Sequence, residues 1–410
     1  MDRKLNRFVK IYPWFYGLTA DLLFYIAVDT LFLSADKGLT AAQIVSLTTV
    51  SNVACIILQF PLLAVIRRIG NSASARLSAF LLLLSSLAIT FGSSYLWIAA
   101  GRVLHGMSLI FHSVIYVALE NNLELLDREN DYIRVRTAGN TVYAVITMVI
   151  SVVASPLFNW NHYFPMFGCV GACVAGFVLS FFMTDHSRYD RIAPVKTSAK
   201  KKLPLGKVIG LTILVFGLFY PIVQNGQSDG KLFIQQQLLL DFSLENTSLI
   251  IGIILFISRL VRVLSNLLFP RVYRKLKEKV GIALPVLLLS SIALMLFGSM
   301  IPWIYIKIVF MSLGYIIILF IRDPFRLYIQ DVVLGRTSRE YHQTLLTTME
   351  FAVKVGTAAT SMCFTMVLLS HTMLEVMVIM LGIAVLEVIL CIRLYRLVTT
   401  ASAKPAKSNQ

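Results

Sequence analysis

Runs of about 20 apolar residues recur along the whole chain, most of them separated by very short turns. Each run is long enough to cross the hydrocarbon core of a bilayer as one α-helix. Only 14% of the 410 residues are charged and the mean hydropathy is +0.77, whereas soluble domains hold about a quarter charged residues. The chain is therefore predicted to be an all-α membrane protein.

We predict twelve transmembrane helices in two pseudo-symmetric six-helix bundles. The seventh span is too long for one straight helix, so we expect it to be broken between Asn225 and Gly230. The predicted spans are residues 12–33, 43–66, 77–93, 95–120, 137–157, 163–184, 207–240, 247–269, 281–300, 302–324, 344–369 and 373–396.

Lysine and arginine are distributed unevenly between the two ends of these spans. Among the loops, one side holds only Lys37, and the other side holds every other loop cation, including those of the loop at 322–339. Because positively charged loops stay in the cytoplasm, both termini are predicted to be cytoplasmic, in a multi-pass protein of the cell membrane. The net charge of +16 is then a topology signal and an attraction to anionic lipid, not a sign of nucleic-acid binding. The cations inside spans are Arg102, Lys231, Arg259, Arg262, Lys307 and Lys354.

The chain divides into two similar halves. The fourth span opens with YLWIAAGRVLHGMSLIF and the tenth with IPWIYIKIVFMSLGYII, which places Trp97 and Trp303 in register. A repeat of this kind predicts a substrate site at the middle of the membrane between the halves. The predicted domains are an N-terminal bundle at 1–184, a basic cytoplasmic linker at 185–206, a C-terminal bundle at 207–398 and a disordered tail at 399–410.

These features resemble the major facilitator superfamily over nearly the whole chain. Arg102 and Gly106 match the Arg-x-x-x-Gly pattern of that family's fourth span, and ADKGLTAAQI is typical of its first outer loop. RRIGNSASAR stands in the place of its signature loop, usually Gly-x-x-x-Asp-Arg-x-Gly-Arg-Arg; Arg68 and Gly70 match, while Arg67 replaces the Asp. The resemblance implies transport by alternating access and makes Arg68, Gly70 and Gly106 gating candidates.

A second, weaker resemblance is to the lactose permease-like proton symporters. Those proteins carry a Glu near the inner end of the fourth span and a Gly-Arg-x-Arg-x-x-Gly phrase at the start of the fifth. Here Glu120 occupies the first position, and DYIRVRTAG supplies Arg134, Arg136 and Gly139. The resemblance implies that Glu120 and Arg136 bind a sugar.

The fourth span carries ionisable side chains along one face. At 100° per residue, Arg102, His105, His112, Tyr116 and Glu120 fall within an arc of about 80°. A charge facing lipid at the bilayer centre costs at least about 2.5–3.5 kcal/mol, so this face is predicted to line a cavity or to pair across the bundle. The histidines could equally be hydrogen-bonded core residues, and the two charged ends could be anchors or members of ion pairs.

Two carboxylates lie in the first span. Asp29 is at a depth where it could pair with Arg102 as a carboxylate–guanidinium latch. Asp21 is near the middle, where we expect no basic residue of its own half at the same depth. Asp21 is therefore the preferred proton carrier, with a structural hydrogen bond as the alternative.

The second half has its own buried charges. Glu350 and Lys354 are one turn apart on the eleventh span and are expected to pair. With Arg259 and Arg262 they form either a neutralised inner gate or a site with one arginine open to substrate. Because irregular backbone in a membrane is tolerated where it lines a cavity, the phrase QNGQSDGK is expected to contact substrate through Gln224, Asn225, Gln227 and Asp229.

The leading functional prediction is a proton-coupled secondary transporter of a small polar organic solute. Drug or organic-cation efflux by proton antiport, organic-anion transport, a non-transporting sensor and a membrane enzyme are the alternatives. We expect no enzymatic activity, no cofactor or metal, a proton gradient as the energy source, no nucleic-acid partner and a monomer. The candidates for proton coupling are Asp21, Asp29, His105, His112 and Glu350. The substrate candidates are Arg102, Tyr116, Glu120, Arg136, Gln224, Asn225, Gln227, Asp229 and Arg259. The gating candidates are Arg68, Gly70, Gly106, Arg262 and Lys354.

Overall fold

The computed structural model describes residues 2–186, 206–334, 336–337 and 339–402, and within them every regular element is helical. The helices are α1 (Asp2–Thr19), α2 (Tyr25–Ala35), α3 (Ala41–Ile69), α4 (Asn71–Phe91), α5 (Tyr95–His112), α6 (Val114–Glu124), α7 (Tyr132–Trp160), α8 (Phe164–Ser180), α9 (Lys207–Leu239), α10 (Leu244–Leu276), α11 (Val280–Met300), α12 (Ile304–Leu334), α13 (Arg339–Leu368) and α14 (Met373–Ser402).

Within the described residues, ten helical segments are long and apolar enough to cross a bilayer, with α5 and α6 counted as one. The shorter apolar helices α2 and α8 add to these ten. Since α1 and α2 together cover the predicted first span and α8 covers the sixth, the described residues supply twelve segments for crossing the membrane. The predicted fold class is confirmed.

The first span is broken, contrary to the prediction of one helix at 12–33. Helix α1 ends at Thr19 and α2 begins at Tyr25. Phe24 between them has a φ of 39°, a left-handed conformation that side chains other than glycine rarely adopt. The hydroxyl of Thr19 donates to the Phe15 carbonyl at 2.7 Å, and the Asp21 carboxylate accepts from the Leu22 N–H at 2.8 Å. Such side-chain bonds compete with the helical backbone pattern and help to end a helix.

The seventh span is continuous, and the break predicted between Asn225 and Gly230 is wrong. Helix α9 runs through it for 33 residues, or about 50 Å. A Cβ on Gly226 would lie 3.1 Å from Ile318, and one on Gly230 would lie 3.2 Å from Met295. These glycines therefore allow close approach of neighbouring helices. Their cost of about 1 kcal/mol each in helix propensity is too small to break a packed helix.

Several basic segments that the sequence assigned to loops are largely helical in the structure. Gly70 alone joins α3 to α4, with a φ of 85° that glycine adopts without strain, so the predicted loop at 67–76 is largely helical. The fourth span is divided at Ser113. Helix α12 continues to Leu334, so the residues from 322 onward that were assigned to a loop lie mostly inside a helix.

The described residues form two compact units, one containing 2–186 with 248–256 and the other 206–247 with 257–402. In the first unit, α1 packs on α7 and α8, and α4 packs on α5 and α8. In the second, α9 packs on α13 and α14, and α11 packs on α12 and α14. Each helix pair of the first unit thus has its equivalent in the second, which is the packing expected of an internal repeat.

The predicted linker and tail lie mainly outside the described residues, at 187–205 and 403–410. Asp185, predicted to begin the linker, is buried in the first unit, where its Oδ2 accepts from the side-chain amides of Asn71 and Asn121 at 2.8 Å each. Residues 399–402, predicted to be in the disordered tail, continue α14.

Candidate functional site

The polar face of α5 lies against the broken first span. His105 Nε2 is 3.2 Å from Asp21 Oδ1, at ion-pair distance although not aligned as a hydrogen bond. On the other side of the ring, Arg102 Nη1 is 3.4 Å from His105 Nδ1. The Arg102 guanidinium lies 5.7 Å from the ring centroid of Tyr25, the first residue of α2. The expectation that Asp21 has no basic neighbour is wrong, because Arg102 and His105 reach the gap in the first span.

The contacts of His105 assign its tautomer. A guanidinium has only donors, so His105 Nδ1 accepts from Arg102 and the ring proton of the neutral imidazole is on Nε2, facing Asp21. The His105 side chain is only 7% exposed, while that of Asp21 is 32% exposed. The carboxylate is therefore the more accessible end of a buried chain of ionisable groups.

His112 makes a structural hydrogen bond two turns further along the same face. Its Nε2 is 3.0 Å from Thr19 Oγ1. Because the Thr19 hydroxyl already donates to the Phe15 carbonyl, His112 is the donor in this contact. Its ring stacks on Phe15, with centroids 6.0 Å apart. His112 therefore joins the last residue of α5 to the last residue of α1, as expected for a hydrogen-bonded core histidine.

The C-terminal part of this polar face, at Tyr116 and Glu120 on α6, is more exposed than the part at His105 and His112. The Tyr116 hydroxyl donates to that of Tyr16 at 3.4 Å, and the Arg136 guanidinium lies 4.6 Å from the Tyr116 ring centroid. Arg136 is exposed. Glu120 is also exposed, and its side chain makes no hydrogen bond or ion pair within the described residues. Sugar binding by Glu120 and Arg136 stays a prediction.

Asp29 is half-buried one turn after Tyr25, and its Oδ1 accepts from the Thr30 N–H at 2.7 Å. Tyr25 and Asp29 share a face of α2 by their spacing of four, and Arg102 packs over Tyr25. The latch between Asp29 and Arg102 stays a prediction.

The second unit has a polar cluster centred on α12. Arg322 donates from Nη1 to Gln227 Oε1 at 2.7 Å and from Nε to the Tyr220 hydroxyl at 3.3 Å. Arg326, one turn later, pairs with Glu350 of α13. Both guanidinium groups lie 5.9 Å from the Tyr220 ring centroid. One aromatic ring of α9 thus contacts two cations of α12.

The observed ion pairs differ from those predicted for this half. Glu350 contacts Arg326 instead of the expected Lys354. Arg262 makes a two-bond pair with Asp323, at 2.7 and 3.0 Å. The predicted inner gate is therefore wrong in the partners of Glu350 and Arg262. Arg326 reaches Glu350 of α13 because α12 extends beyond the predicted tenth span, whereas Asp323, inside that span, meets Arg262 of α10. Arg259 and Lys354 are half-buried on α10 and α13.

Further polar contacts join α10 to α12. Asn266 donates to Asp323 at 3.0 Å, and the Ser265 hydroxyl donates to the Phe320 carbonyl at 2.8 Å. Beyond the apolar part of α10, Tyr273 donates to Asp331. Burial of the Tyr273 side chain raises its pKa, and the hydrogen-bonded Asp331 carboxylate raises the pKa further. These side-chain contacts join residues 262–273 of α10 to residues 320–331 of α12.

The amides of α9 mostly bridge helices. Gln224 accepts from the Thr357 hydroxyl at 2.8 Å, and Asn225 donates to Thr360 at 2.7 Å. Asn225 is buried. Asp229 is buried as well; its Oδ1 accepts from Ser228 at 3.1 Å, and its Oδ2 has no hydrogen-bond partner in the described part of the chain. Because α9 is unbroken, the argument from irregular backbone does not make these residues substrate ligands.

Comparison with known proteins accounts for this architecture. The sequence profile of the Major Facilitator Superfamily matches residues 14–360. The chain belongs to this superfamily. It is a multi-pass membrane transporter with the twelve-helix facilitator fold, as the sequence resemblance implied.

Solved structures show the same fold in other facilitator proteins. The nucleoside transporter NupG is 12% identical, with a TM-score of 0.74 over 96% of this chain and 99% of that one. A bacterial homologue of the iron transporter ferroportin, in an inward-facing state, is 11% identical, with a TM-score of 0.66 over 96% and 99% of the two chains. The peptide transporter POT is 10% identical, with a TM-score of 0.64 over 97% and 94%. A comparison with curated protein sequences gives no match.

The facilitator gating candidates occupy helix junctions and crossings. Gly70 is the one-residue turn between α3 and α4, and Arg68 is exposed beside it. A Cβ on Gly106 would lie 2.5 Å from Cys55 Sγ and 3.3 Å from Ser51 Oγ. Gly106 therefore permits close packing of α5 on α3 in this facilitator chain. Gating roles stay predictions.

Arg322 and Arg326 were missed by the sequence reasoning, which assigned them to a loop of this facilitator protein. The available signal was the spacing of four within ILFIRDPFRLYIQDVVL, where apolar residues continue on both sides of the charges. A helix carries such residues on one face.

Proposed function

We propose that this transporter is a proton-coupled secondary transporter of a small polar organic solute, working by alternating access. The observation that carries the proposal is the half-exposed Asp21 at the break of the first span, in contact with His105. Phe24 in the same break has an unusual backbone conformation, and strained backbone of this kind concentrates at switch regions and functional sites.

Protonation of Asp21 would change the forces on both of its neighbours. As a carboxylate, Asp21 attracts the Nε2 proton of His105 and balances the charge of Arg102. After protonation, the Arg102–His105–Asp21 group carries a net positive charge inside the membrane, which is costly without a partner. The conformation that supplies a negative group or water to Arg102 is then favoured. A proton is thereby linked to the equilibrium between two states.

The solute class rests on the chemistry of the two polar clusters. Tyr16, Tyr116 and Tyr143 are half-buried and offer hydroxyl groups beside aromatic faces, and Gln227 and Arg322 are also half-buried. Such groups hydrogen-bond polar organic molecules and fix their orientation. Two of the structures with a similar fold are named as a nucleoside transporter and a peptide transporter, and both of those solute types are polar and organic.

We further propose the cell membrane as the location, with both termini cytoplasmic, on the strength of the charge distribution between loops. The energy source would be the proton gradient, with no bound cofactor. The transporter would act as a monomer.

The test is proton movement in liposomes that hold purified protein and a trapped pH dye. Panels of sugars, nucleosides, organic anions and cationic drugs are added outside. Acidification of the lumen on addition of a polar solute supports symport. Alkalinisation on addition of a cationic drug would replace the proposal with drug–proton antiport, and no pH response with folded protein would contradict proton coupling.

Two variants locate the coupling. Asp21→Asn should abolish solute-driven acidification while exchange of labelled solute across the membrane continues, because exchange needs no net proton transfer. Glu124→Gln is the matched control, since Glu124 is an exposed acid of α6 whose carboxylate makes no hydrogen bond or ion pair within the described residues. Equal loss of acidification in both variants would contradict the role of Asp21.

A further inference from the structure

The first membrane-crossing segment of each unit carries an acid at the same position of the internal repeat. The first segment of the chain contains a Tyr-Pro pair at 12–13 and the seventh contains one at 220–221, and both tyrosines are buried. Asp21 follows the first tyrosine by nine residues, and Asp229 follows the second by the same nine. The two acids are therefore equivalent in sequence, with one in each unit.

The helices that pack against the two segments support this register. A Cβ on Gly17, one turn before the first acid, would lie 2.7 Å from Val142 of α7. Asn225, one turn before the second acid, donates to Thr360 of α13 at 2.7 Å. Helix α7 packs on α1 as α13 packs on α9. The residue one turn before each acid thus faces the equivalent neighbouring helix.

The surroundings of the two acids differ. Asp21 lies in the gap between α1 and α2, where its side chain is 32% exposed and contacts His105. Asp229 lies inside the continuous helix α9 and is 3% exposed. Its Oδ1 accepts from the Ser228 hydroxyl at 3.1 Å, and its Oδ2 has no hydrogen-bond partner among the residues that the structure describes. The exposed acid of the first unit therefore has a buried equivalent in the second.

The ionisable groups beside this part of α9 have other contacts or another direction. Lys231 is buried two residues after Asp229, and side chains two residues apart on a helix do not face each other. Tyr315 and Arg322 of α12 donate to Gln227, the first to its backbone carbonyl and the second to its side chain. Within the described ranges, no cation forms an ion pair with Asp229.

The other helices around α9 bring no charge close to Asp229. Helix α11 has no ionisable side chain. On α13, Lys354 is six residues before Thr360, or about 9 Å along the helix. On α14, Glu387 is seven residues after Met380, which packs on α9, or about 10 Å along that helix. Asp229 is therefore enclosed by largely apolar surroundings.

Burial of this kind ties the carboxyl group of Asp229 to a proton. An ionised carboxylate without a cationic partner or water is strongly disfavoured inside a membrane. The proton can leave in a conformation that brings water or a cation to the carboxyl group. In transporters built from repeats, the two halves move against each other during alternating access. A proton held by Asp229 in one conformation and released in another is carried across the membrane.

We propose that Asp229 binds a second transported proton, in addition to the one at Asp21. The inference rests on the proposed function and deepens it by raising the number of protons that move with each solute molecule. It is carried by the equivalence of Asp229 to Asp21 in the repeat and by the enclosure of Asp229 in α9.

Neutralising the two acids has different consequences. Asparagine at position 21 leaves the charge of Arg102 without its balancing carboxylate, so Asp21→Asn stops net transport. Asp229 balances no cation among the described residues, and an asparagine there has the shape and charge of the protonated acid. Asp229→Asn should therefore continue net transport with one proton fewer per solute molecule.

The test is the number of protons moved per solute molecule in liposomes, with potassium and valinomycin holding the membrane potential near zero. Proton entry is followed with the trapped pH dye and solute entry with labelled glucose, uridine and succinate, and with any other compound of the panel that acidifies the lumen. Asp229→Asn should lower the ratio of protons to solute about twofold, since one of two sites is lost. With a gradient of about one pH unit, solute accumulation should fall about tenfold, because each coupled proton contributes a factor of ten.

Glu387→Gln is the matched control, because Glu387 is another fully buried acid of the same unit. Its ratio of protons to solute should equal that of wild type. Infrared spectroscopy of the purified protein tests the bound proton without transport, since the carbonyl band of a protonated carboxyl group is separate from the bands of a carboxylate. Asp229→Asn should remove one such band from the spectrum of the folded protein at neutral pH.

The proposal is overturned if Asp229→Asn keeps the wild-type ratio and accumulation, or if it removes no band of a protonated carboxyl group. Equal falls in the ratio for Asp229→Asn and Glu387→Gln would overturn it too. A wild-type protein that moves no protons with any solute would contradict the proposed function, whereas normal wild-type coupling with an unchanged ratio in Asp229→Asn would contradict the second proton alone.

Discussion

His105 Nε2 and Asp21 Oδ1 lie 3.2 Å apart across the gap between α1 and α2. This contact joins the fourth membrane-crossing segment to the point where the first one is interrupted. Arg102 approaches the same histidine from the other side, at 3.4 Å from Nδ1. A change in charge on Asp21 is therefore felt by two residues of α5 and by the start of α2, over which Arg102 packs.

Replacement of His105 should separate its role from that of Asp21. His105→Gln keeps a side-chain amide that can face Asp21 but cannot hold an extra proton. We expect solute-driven proton movement to fall at least about tenfold, because the glutamine side chain cannot reproduce the contacts of the imidazole ring with both Asp21 and Arg102. The measurement is the initial rate of lumenal pH change.

His112→Gln serves as the comparison for that experiment. Its hydrogen bond to Thr19 is structural, and the glutamine amide can donate in its place. A rate of proton movement like that of wild type is expected. If His112→Gln lowered the rate and His105→Gln did not, the assignment of the two histidines would have to be exchanged.

The Arg262–Asp323 pair should contribute to stability mainly through the penalty of breaking it. The two side chains are 32% and 21% exposed, so the loss on Arg262→Ala is expected to be about 1–3 kcal/mol, below the range for a fully buried pair. Asp323→Ala should cost a similar amount. Reversible unfolding in mixed micelles provides the free energies of unfolding.

The double variant Arg262→Ala/Asp323→Ala completes a cycle for that pair. Because neither charge is then left without its partner, the double variant should be less destabilised than the sum of the single variants. Additive losses would show that the two side chains do not interact in the folded protein.

Glycine positions on α13 and α14 provide a matched test of helix packing. A Cβ on Gly356 would meet the Gly217 backbone oxygen and lie 2.7 Å from Pro221 Cγ, whereas one on Gly382 would have nothing within 4 Å. Gly356→Ala should therefore cost about 1–3 kcal/mol through overpacking. Gly382→Ala should be neutral or stabilising by up to about 1 kcal/mol, through helix propensity. Equal unfolding temperatures for the two variants would contradict the close approach of α13 to α9.

Glu387 is a buried acid to which the proposed function assigns no role. It is fully buried on α14, and its Oε2 has no hydrogen-bond partner within the described residues. The amide of Glu387→Gln has the same shape and carries no charge, so the unfolding temperature should change by no more than about 2 °C and transport should continue. Loss of proton movement in folded Glu387→Gln would instead assign Glu387 to the proton pathway.

Sequence reasoning located the membrane segments well, because each depends only on local composition. With α5 and α6 counted as one segment, eleven of the twelve predicted spans overlap one continuous helical segment of the structure. The two errors about where a span is broken have one cause: the local sequence does not show which helices pack against a segment. Local glycines and amides at 224–230 looked like a break but are packed against Ile318 and Met295, whereas the break at Asp21 lies in a stretch with no glycine or proline.

The polar sites were also predicted only in part: the helix face was predicted, and the partners across the bundle were not. Helical periodicity predicted that Arg102, His105, His112 and Tyr116 share a face, and each of them contacts the first span. Their partners were harder to predict, since a partner is set by helix ends and by the turns of neighbouring helices. Arg326 reaches Glu350 only because α12 continues beyond the apolar run that marks the span.

The sequence by itself determined the class of protein, the twelve segments, the twofold repeat and the uneven distribution of cations, since hydropathy and charge act residue by residue. Only the tertiary structure decided which buried charge meets which. Asp21 was assigned no basic neighbour and has two; Glu350 was assigned Lys354 and contacts Arg326. The physical reason is that a buried ion pair requires contact within about 4 Å, and contacts between distant segments depend on how helices end, break and pack.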